Sequence, residues 1–274
     1  MSAVVMASLV RALTAASVVV FASVLAERLG PVWGALIISL PVTAGPVYVF
    51  MVLEHDNGFV AGAALNGFAA NAATGLFLAV YARRAGNRSL LRALGPAVLA
   101  WLAAALAIAS MAWTPLTALL LNATVYGAGA LVAPPLRRTT LAPSAPARPR
   151  PADLIARAAA VALFVAAVLG VSSALGPART GVLAAYPVTL TSTFVILHRR
   201  LSGAAMAQLA SMTIRGVFGF GLTLLTLHLL IQPCGAGLAL AAALLVSLLW
   251  SAGLLALQRR TGARQQPEPR AMME

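Results

Sequence analysis

Lysine is absent from this 274-residue chain, and all nineteen basic residues are arginine. Schiff-base and lysine-nucleophile chemistry are therefore excluded. Cysteine occurs once, as Cys234 beside Pro233, so an intramolecular disulfide and a cysteine metal cluster are excluded as well. Carboxylates number six, and charged residues make up 9% of the chain against 61% hydrophobic. A soluble domain of this size needs a charged shell that so few ionisable groups cannot build, so a lipid bilayer must cover the apolar surface. The sequence has no His-Glu-x-x-His, Asp-rich pair, Gly-x-Ser-x-Gly or P-loop. Catalysis usually needs a clustered acid, base or nucleophile, so no enzyme, cofactor or metal is expected.

The net charge of +13 sits in short arginine clusters between apolar runs. That distribution marks membrane topology, and no nucleic-acid partner is expected. The all-arginine basic complement suggests a GC-rich bacterial genome. The expected partners are the lipid bilayer and a small-molecule solute, and self-association into a homo-oligomer stays open. Apolar runs bounded by Arg, Gly, Pro or acidic residues predict an all-α, polytopic transmembrane bundle of about nine helices. They lie at roughly 8–27, 31–53, 58–82, 90–112, 115–133, 154–175, 178–198, 203–231 and 235–257. The first run could pass for a signal peptide, but Arg11 has a counterpart in the second half of the chain.

That counterpart belongs to an internal repeat. Leu29, Gly30 and Pro31 match Leu175, Gly176 and Pro177; Pro41, Val42 and Thr43 match Pro187, Val188 and Thr189; Arg11 matches Arg157. Carried along the chain, this register pairs the first four helices with the last four and leaves the fifth as a linker. An odd linker turns the second half over in the membrane, so the expectation is two inverted four-helix repeats. The domains read as 1–112 for the first repeat, 113–133 for the linker helix and 134–153 for a Pro/Arg-rich cytoplasmic loop. The second repeat follows at 154–258 and a disordered cytoplasmic tail at 259–274. With the N-terminus outside and the C-terminus inside, sixteen arginines face the cytoplasm and the outer side keeps Arg11 and Arg179, together with Glu54 and Asp56.

Pro41 lies ten residues after Pro31, roughly 15 Å along a helix and half-way through a ~30 Å hydrocarbon core. Pro187 falls at the same depth. Each proline frees the carbonyl four residues earlier, at Ile37 and Leu183, and Thr43 and Thr189 follow within a turn. These are candidate helix breaks that either face a ligand or bond back to their own helix. Gly67, Asn71 and Gly75, with Asn66 adjacent, form a stripe of small and polar residues, as do Gly203, Ala207, Ser211, Arg215 and Gly219. Arg215 is twelve residues into its helix. The stripe should turn it into the bundle, where an unpaired guanidinium suits an anionic ligand; the alternative is a snorkelling interfacial arginine. The candidate substrate-binding set is thus Arg215, Thr43, Thr189, Asn71, Asn66 and Ser211, with breaks at Pro41 and Pro187. All six carboxylates fall in loops, short ends or the tail, so a buried Asp or Glu relay is not expected; His198 and His228 are the titratable alternatives.

The motifs Leu-Gly-Pro, Pro-Val-Thr and Arg215-Gly216 resemble those of duplicated bacterial polytopic membrane proteins of uncharacterised role. The Gly-to-Pro helix is also similar to that of GlpM-like small membrane proteins. The resemblance covers 11–49 and 157 to about 221. It implies an inner-membrane, multi-helix fold and carries no substrate. The function expected is a secondary transporter or permease for a small organic solute, anionic if Arg215 binds it. The alternatives are a non-catalytic assembly or envelope-integrity protein and, behind that, a membrane enzyme acting on a lipid-linked substrate.

Overall fold

The computed structural model describes residues 44–86, 89–132 and 151–263, and Leu13, Thr14, Ser17, Val18, Val20 and Phe21 before them. Among these every regular element is a helix: α1 (Ala44–Glu54), α2 (Asn57–Arg84), α3 (Leu90–Ala109), α4 (Pro115–Val132), α5 (Pro151–Ala184), α6 (Val188–Leu197) and α7 (Gly203–Ala263). Local chemistry sets their starts. The Asp56 carboxylate accepts from the Phe59 N–H at 2.9 Å, and the Ser202 hydroxyl accepts from the Ala205 N–H at 3.2 Å. These two N-caps stand 146 residues apart, the register of the sequence repeat. Thr114 and Thr117 cap each other reciprocally ahead of α4, and proline occupies the first position of α4 and α5.

Counted as apolar helical stretches, the described residues hold six rather than nine: four long enough to cross a membrane, two of which run on through internal kinks or breaks, and two shorter ones. One reason is coverage, since the predicted helix at 8–27 and the first part of that at 31–53 lie mostly outside the described residues. The other is that two predicted loops are tight kinks. Gly176 and Gly235 take φ of 72° and 77°, a left-handed conformation that costs glycine little. Residues after each kink fold back on those before it: the Thr180 hydroxyl donates to the Ser172 carbonyl, and the Trp250 indole N–H donates to the Arg215 carbonyl. A straight helix of 61 residues would run ~92 Å, three times a hydrocarbon core, so α7 must be two antiparallel arms. The predicted loop also ends earlier, at Pro151, and the helix continues through Ala263 into the predicted tail. The rest of the loop, 134–150, and of the tail, 264–274, lies outside the described residues.

α2 is the centre of the bundle, touching α1, α3, α4, α5 and α7. Its composition explains this position. Val60, Ala63, Ala64, Phe68, Ala69 and Ala70 are fully buried, and the alanines and glycines between the larger residues let neighbouring backbones approach closely. A Cβ on Gly181 of α5 would overlap the backbone of Ala63, and one on Gly203 of α7 would overlap the carbonyls of Ala85 and Gly86. In lipid, where apolar burial does not drive helices together, such close contact supplies van der Waals attraction instead.

These contacts predict a graded response to added methyl groups. Gly181→Ala and Gly203→Ala should each destabilise the protein by ~1–3 kcal/mol through overpacking. Gly170→Ala and Gly253→Ala, where a Cβ meets nothing within 4 Å, should be neutral or slightly stabilising. Thermal unfolding in detergent checks both; equal losses at all four positions would rule out the close-approach account.

Candidate functional site at the middle of the bundle

The first arm of α7 runs antiparallel to α2. Gly58 lies near Gln232, Gly67 near Leu224, Gly221 near Phe68 and Asn71, and Gly203 near Ala85 and Gly86. The ring of His228 meets the Ala61 carbonyl at 2.9 Å. At the midpoint the Asn71 amide donates to the Val217 carbonyl at 3.2 Å, across a separation of 146 residues. Asn71 therefore touches the residue that the repeat register makes its own counterpart.

A layer of buried polar groups gathers there. Asn71 Nδ2 also donates to Asn122 Oδ1 at 3.2 Å, and Asn122 Nδ2 donates to the Phe68 and Ala118 carbonyls at 2.8 and 2.9 Å. The Tyr126 hydroxyl donates to the Asn71 carbonyl at 3.0 Å. One turn along α2, the Trp101 indole donates to Thr74 Oγ1 at 3.3 Å, and the Thr74 hydroxyl donates to the Ala185 carbonyl at 3.2 Å. Both asparagines are fully buried. One acceptor of the layer, Asn71 Oδ1, has no hydrogen-bond partner among the described residues. Rotating that amide would not help, because its oxygen would then face Asn122 Oδ1 and the Val217 carbonyl.

The Ala185 carbonyl belongs to the break between α5 and α6. Pro187 lies at the stop of that helix, level with the middle of α2. The freed Leu183 carbonyl is not left open, however: it accepts from the Tyr186 N–H at 3.0 Å, and the Tyr186 carbonyl accepts from the Val188 N–H at 2.8 Å. A tight turn thus re-pairs the backbone. Tyr186 is half-buried, edge-on to Trp101 with ring centroids 4.9 Å apart, and its hydroxyl lies 3.4 Å from Thr191 Oγ1.

The candidate residues are not all brought together. Asn71 is at the centre, and Thr189 is half-buried just beyond the break, its carbonyl accepting from Ser192. Asn66 and Ser211 bond back to their own helices, to the Gly62 and Ala207 carbonyls at 2.9 Å. Pro41 and Thr43 lie outside the described residues. Arg215 is exposed on the outer surface, which corrects the inward orientation read from its stripe. The cause is Trp250. A Cβ on Gly219 would overlap the Trp250 indole, whose N–H holds the Arg215 carbonyl, so this ring occupies the stripe and leaves the guanidinium at the rim. Asn122, Tyr126, Thr74, Trp101 and Tyr186 escaped the sequence reading. For Asn122 a signal existed, an amide inside the apolar run of the linker helix.

Both ends of the bundle are also tied. At the arginine-rich end Arg200 pairs with Asp153 at 2.6 Å, and the Tyr81 hydroxyl bonds His198 Nδ1 at 2.7 Å. At the other end His55 Nε2 meets the Ser172 hydroxyl at 2.9 Å and stacks on Phe59. Among the described residues no three of His, Cys, Asp or Glu converge as metal ligands. No known family model matches this chain, nor does any curated protein or solved structure.

The asparagine pair offers a direct energetic test. A double-mutant cycle with Asn71→Ala and Asn122→Ala, followed by reversible unfolding in bicelles, should give a coupling of ~0.6–1.7 kcal/mol, the range of interhelical hydrogen bonds in membranes. Zero coupling would mean that the two amides do not share a bond.

Proposed function

We propose that this chain is a multi-pass transporter of the bacterial inner membrane, whose two inverted halves present one central site to each side of the bilayer in turn. The carrying observation is the contact of Asn71 with Val217. Two equivalent helices that run antiparallel and meet at equivalent residues are related by a two-fold axis across them, in the membrane plane. The matching caps at Asp56 and Ser202 support the same register. So do the starts of the helices at Leu90 and just after Gly235, again 146 residues apart. With the two N-terminal helices predicted at 8–27 and 31–53, the chain completes about nine crossings, the N-terminus outside and the C-terminus in the cytoplasm.

The polar layer and the α5–α6 break lie at that axis, where transporters built from inverted repeats bind their solutes. The groups on offer are neutral: the open Asn71 Oδ1, the Thr74 hydroxyl, the Tyr186 ring and its hydroxyl. They suit a small polar organic solute with a hydrogen-bond donor for Asn71. An anionic solute loses its main support with Arg215 at the rim. The assembly-protein reading keeps one observation in its favour, because nearly every donor of the layer is used within the protein.

Accessibility separates the two readings without knowledge of the solute. In a Cys234→Ser background, Thr74→Cys and Tyr186→Cys should react with membrane-impermeant maleimide both from outside intact cells and from the cytoplasmic face of inverted vesicles. Ala97→Cys, fully buried in α3, should stay unlabelled. If neither central position is labelled from either face, the assembly reading replaces transport.

Topology is tested separately. Reporters fused after Arg88 or at the C-terminus should report cytoplasm, and one inserted at Asp56 the outside. Asp56 and Arg88 on one side would end the inverted arrangement.

A further inference from the structure

The central layer uses nearly all of its donors internally and keeps acceptors open. Both N–H bonds of the Asn71 amide end on oxygens, of Asn122 and Val217, and both of Asn122 end on carbonyls. The donors of Tyr126, Thr74 and Trp101 are likewise taken by protein oxygens. In the contact of Thr191 with Tyr186 the threonine donates, so of this set the Tyr186 phenol hydrogen remains. Acceptors are in excess. Asn71 Oδ1 is fully buried and has no partner among the described residues. Thr74 Oγ1 keeps a lone pair beyond the bond from Trp101, one turn further along α2.

We infer that the solute of this layer is a small organic cation, a primary ammonium whose N–H groups bond Asn71 Oδ1 and Thr74 Oγ1 and whose charge lies against the Tyr186 ring. The inference deepens the transport reading and rests on it. An ammonium group carries three donors and no acceptor, the complement of what the layer offers. A carboxylate or phosphate brings acceptors alone and would meet lone pairs, with a single phenol to hold it. A polyol brings an acceptor with every donor, and most of those acceptors would be buried without a donor, which is costly. Burial also strips water from a cation, and aromatic faces offset part of that loss. Tyr186 contacts two further rings, edge-on to Trp101 and tilted against Phe164 with centroids 6.1 Å apart. Charge along the bundle agrees. Among the described residues the end near Asp56 carries Glu54 and Asp56 against Arg179, a balance that draws cations toward that end. Arg215 opposes a cation, but it is exposed and two residues from Val217, ~200° round the helix from it.

The test uses the full-length protein in detergent, at constant ionic strength, with two sets of compounds matched in shape. One set is propylammonium, propionamide and propionate; the other is phenethylammonium, 3-phenylpropionamide and 3-phenylpropionate. A ligand of the folded state raises the unfolding temperature in a saturable way. At least one ammonium compound should do so with an apparent Kd about tenfold or more below those of its amide and carboxylate. Asn71→Leu should weaken that binding about tenfold. Tyr186→Leu should weaken it about fivefold and Tyr186→Phe, which keeps the ring, less than about twofold. Arg215→Gln, which removes a like charge, should leave it unchanged or tighter. Preference for an amide or a carboxylate overturns the inference, as does loss of ammonium binding in folded Arg215→Gln. So does the absence of saturable stabilisation by either ammonium compound up to ~100 mM, or binding that survives both Asn71→Leu and Tyr186→Leu and therefore lies elsewhere. If Asn71→Leu does not fold, the contrast between Tyr186→Leu and Tyr186→Phe decides. None of these outcomes touches the transport reading, which fails when the central cysteines stay unlabelled from both faces.

Discussion

Backbone proximity is the constraint on which the bundle rests. In water, helices come together because apolar side chains leave solvent; in a bilayer the solvent is already apolar and that force disappears. What remains is dispersion, which requires atoms in contact. α2 meets the requirement with alanine and glycine over most of its length. Three of its four aromatic side chains, Phe68, Phe77 and Tyr81, are fully buried, and Tyr81 stacks on Phe194 with ring centroids 4.1 Å apart. Large residues thus fill the gaps that small ones open elsewhere, and one helix can touch five neighbours.

Close approach creates the polar layer as well as the packing. Asn71 can bond to a backbone carbonyl of α7 only because Gly221, beside it, leaves room; a Cβ there would crowd the amide at 2.7 Å. The same geometry fixes the amide's direction, since both of its donor contacts are oxygens. An acceptor then has to point elsewhere, and no donor among the described residues meets it. The open oxygen is therefore a consequence of how tightly the two helices cross, and it lies where the two halves of the chain meet.

Much of the fold was legible because proline, glycine and charge interrupt apolar runs for local reasons. The helix ends near Arg84, Leu90 and Pro115, the proline break at Pro187 and the turn at Gly176-Pro177 all follow from backbone chemistry within a few residues. What depends on contacts distant in sequence was not legible. The stripe containing Ser211, Arg215 and Gly219 names a helix face, but whether a long side chain on it turns inward depends on Trp250, thirty-five residues away. Likewise Pro187 reveals a freed carbonyl, whereas its re-pairing with the Tyr186 N–H depends on the turn that forms. The central site was only half visible for the same reason. Asn71 stood out in its stripe and Asn122 was visible as an amide in an apolar run, while Thr74, Trp101 and Tyr126 acquire meaning only when α3 and α4 lie against α2.

The two ends of the bundle are tied by different contacts among the described residues. Near Asp56, His55 meets Ser172 and His228 meets the Ala61 carbonyl. The arginine-rich end adds an ion pair, Arg200 with Asp153, which ties the start of α5 to the loop between α6 and α7. Charge-assisted bonds are roughly twice as strong as neutral ones, though partial exposure to water discounts the advantage.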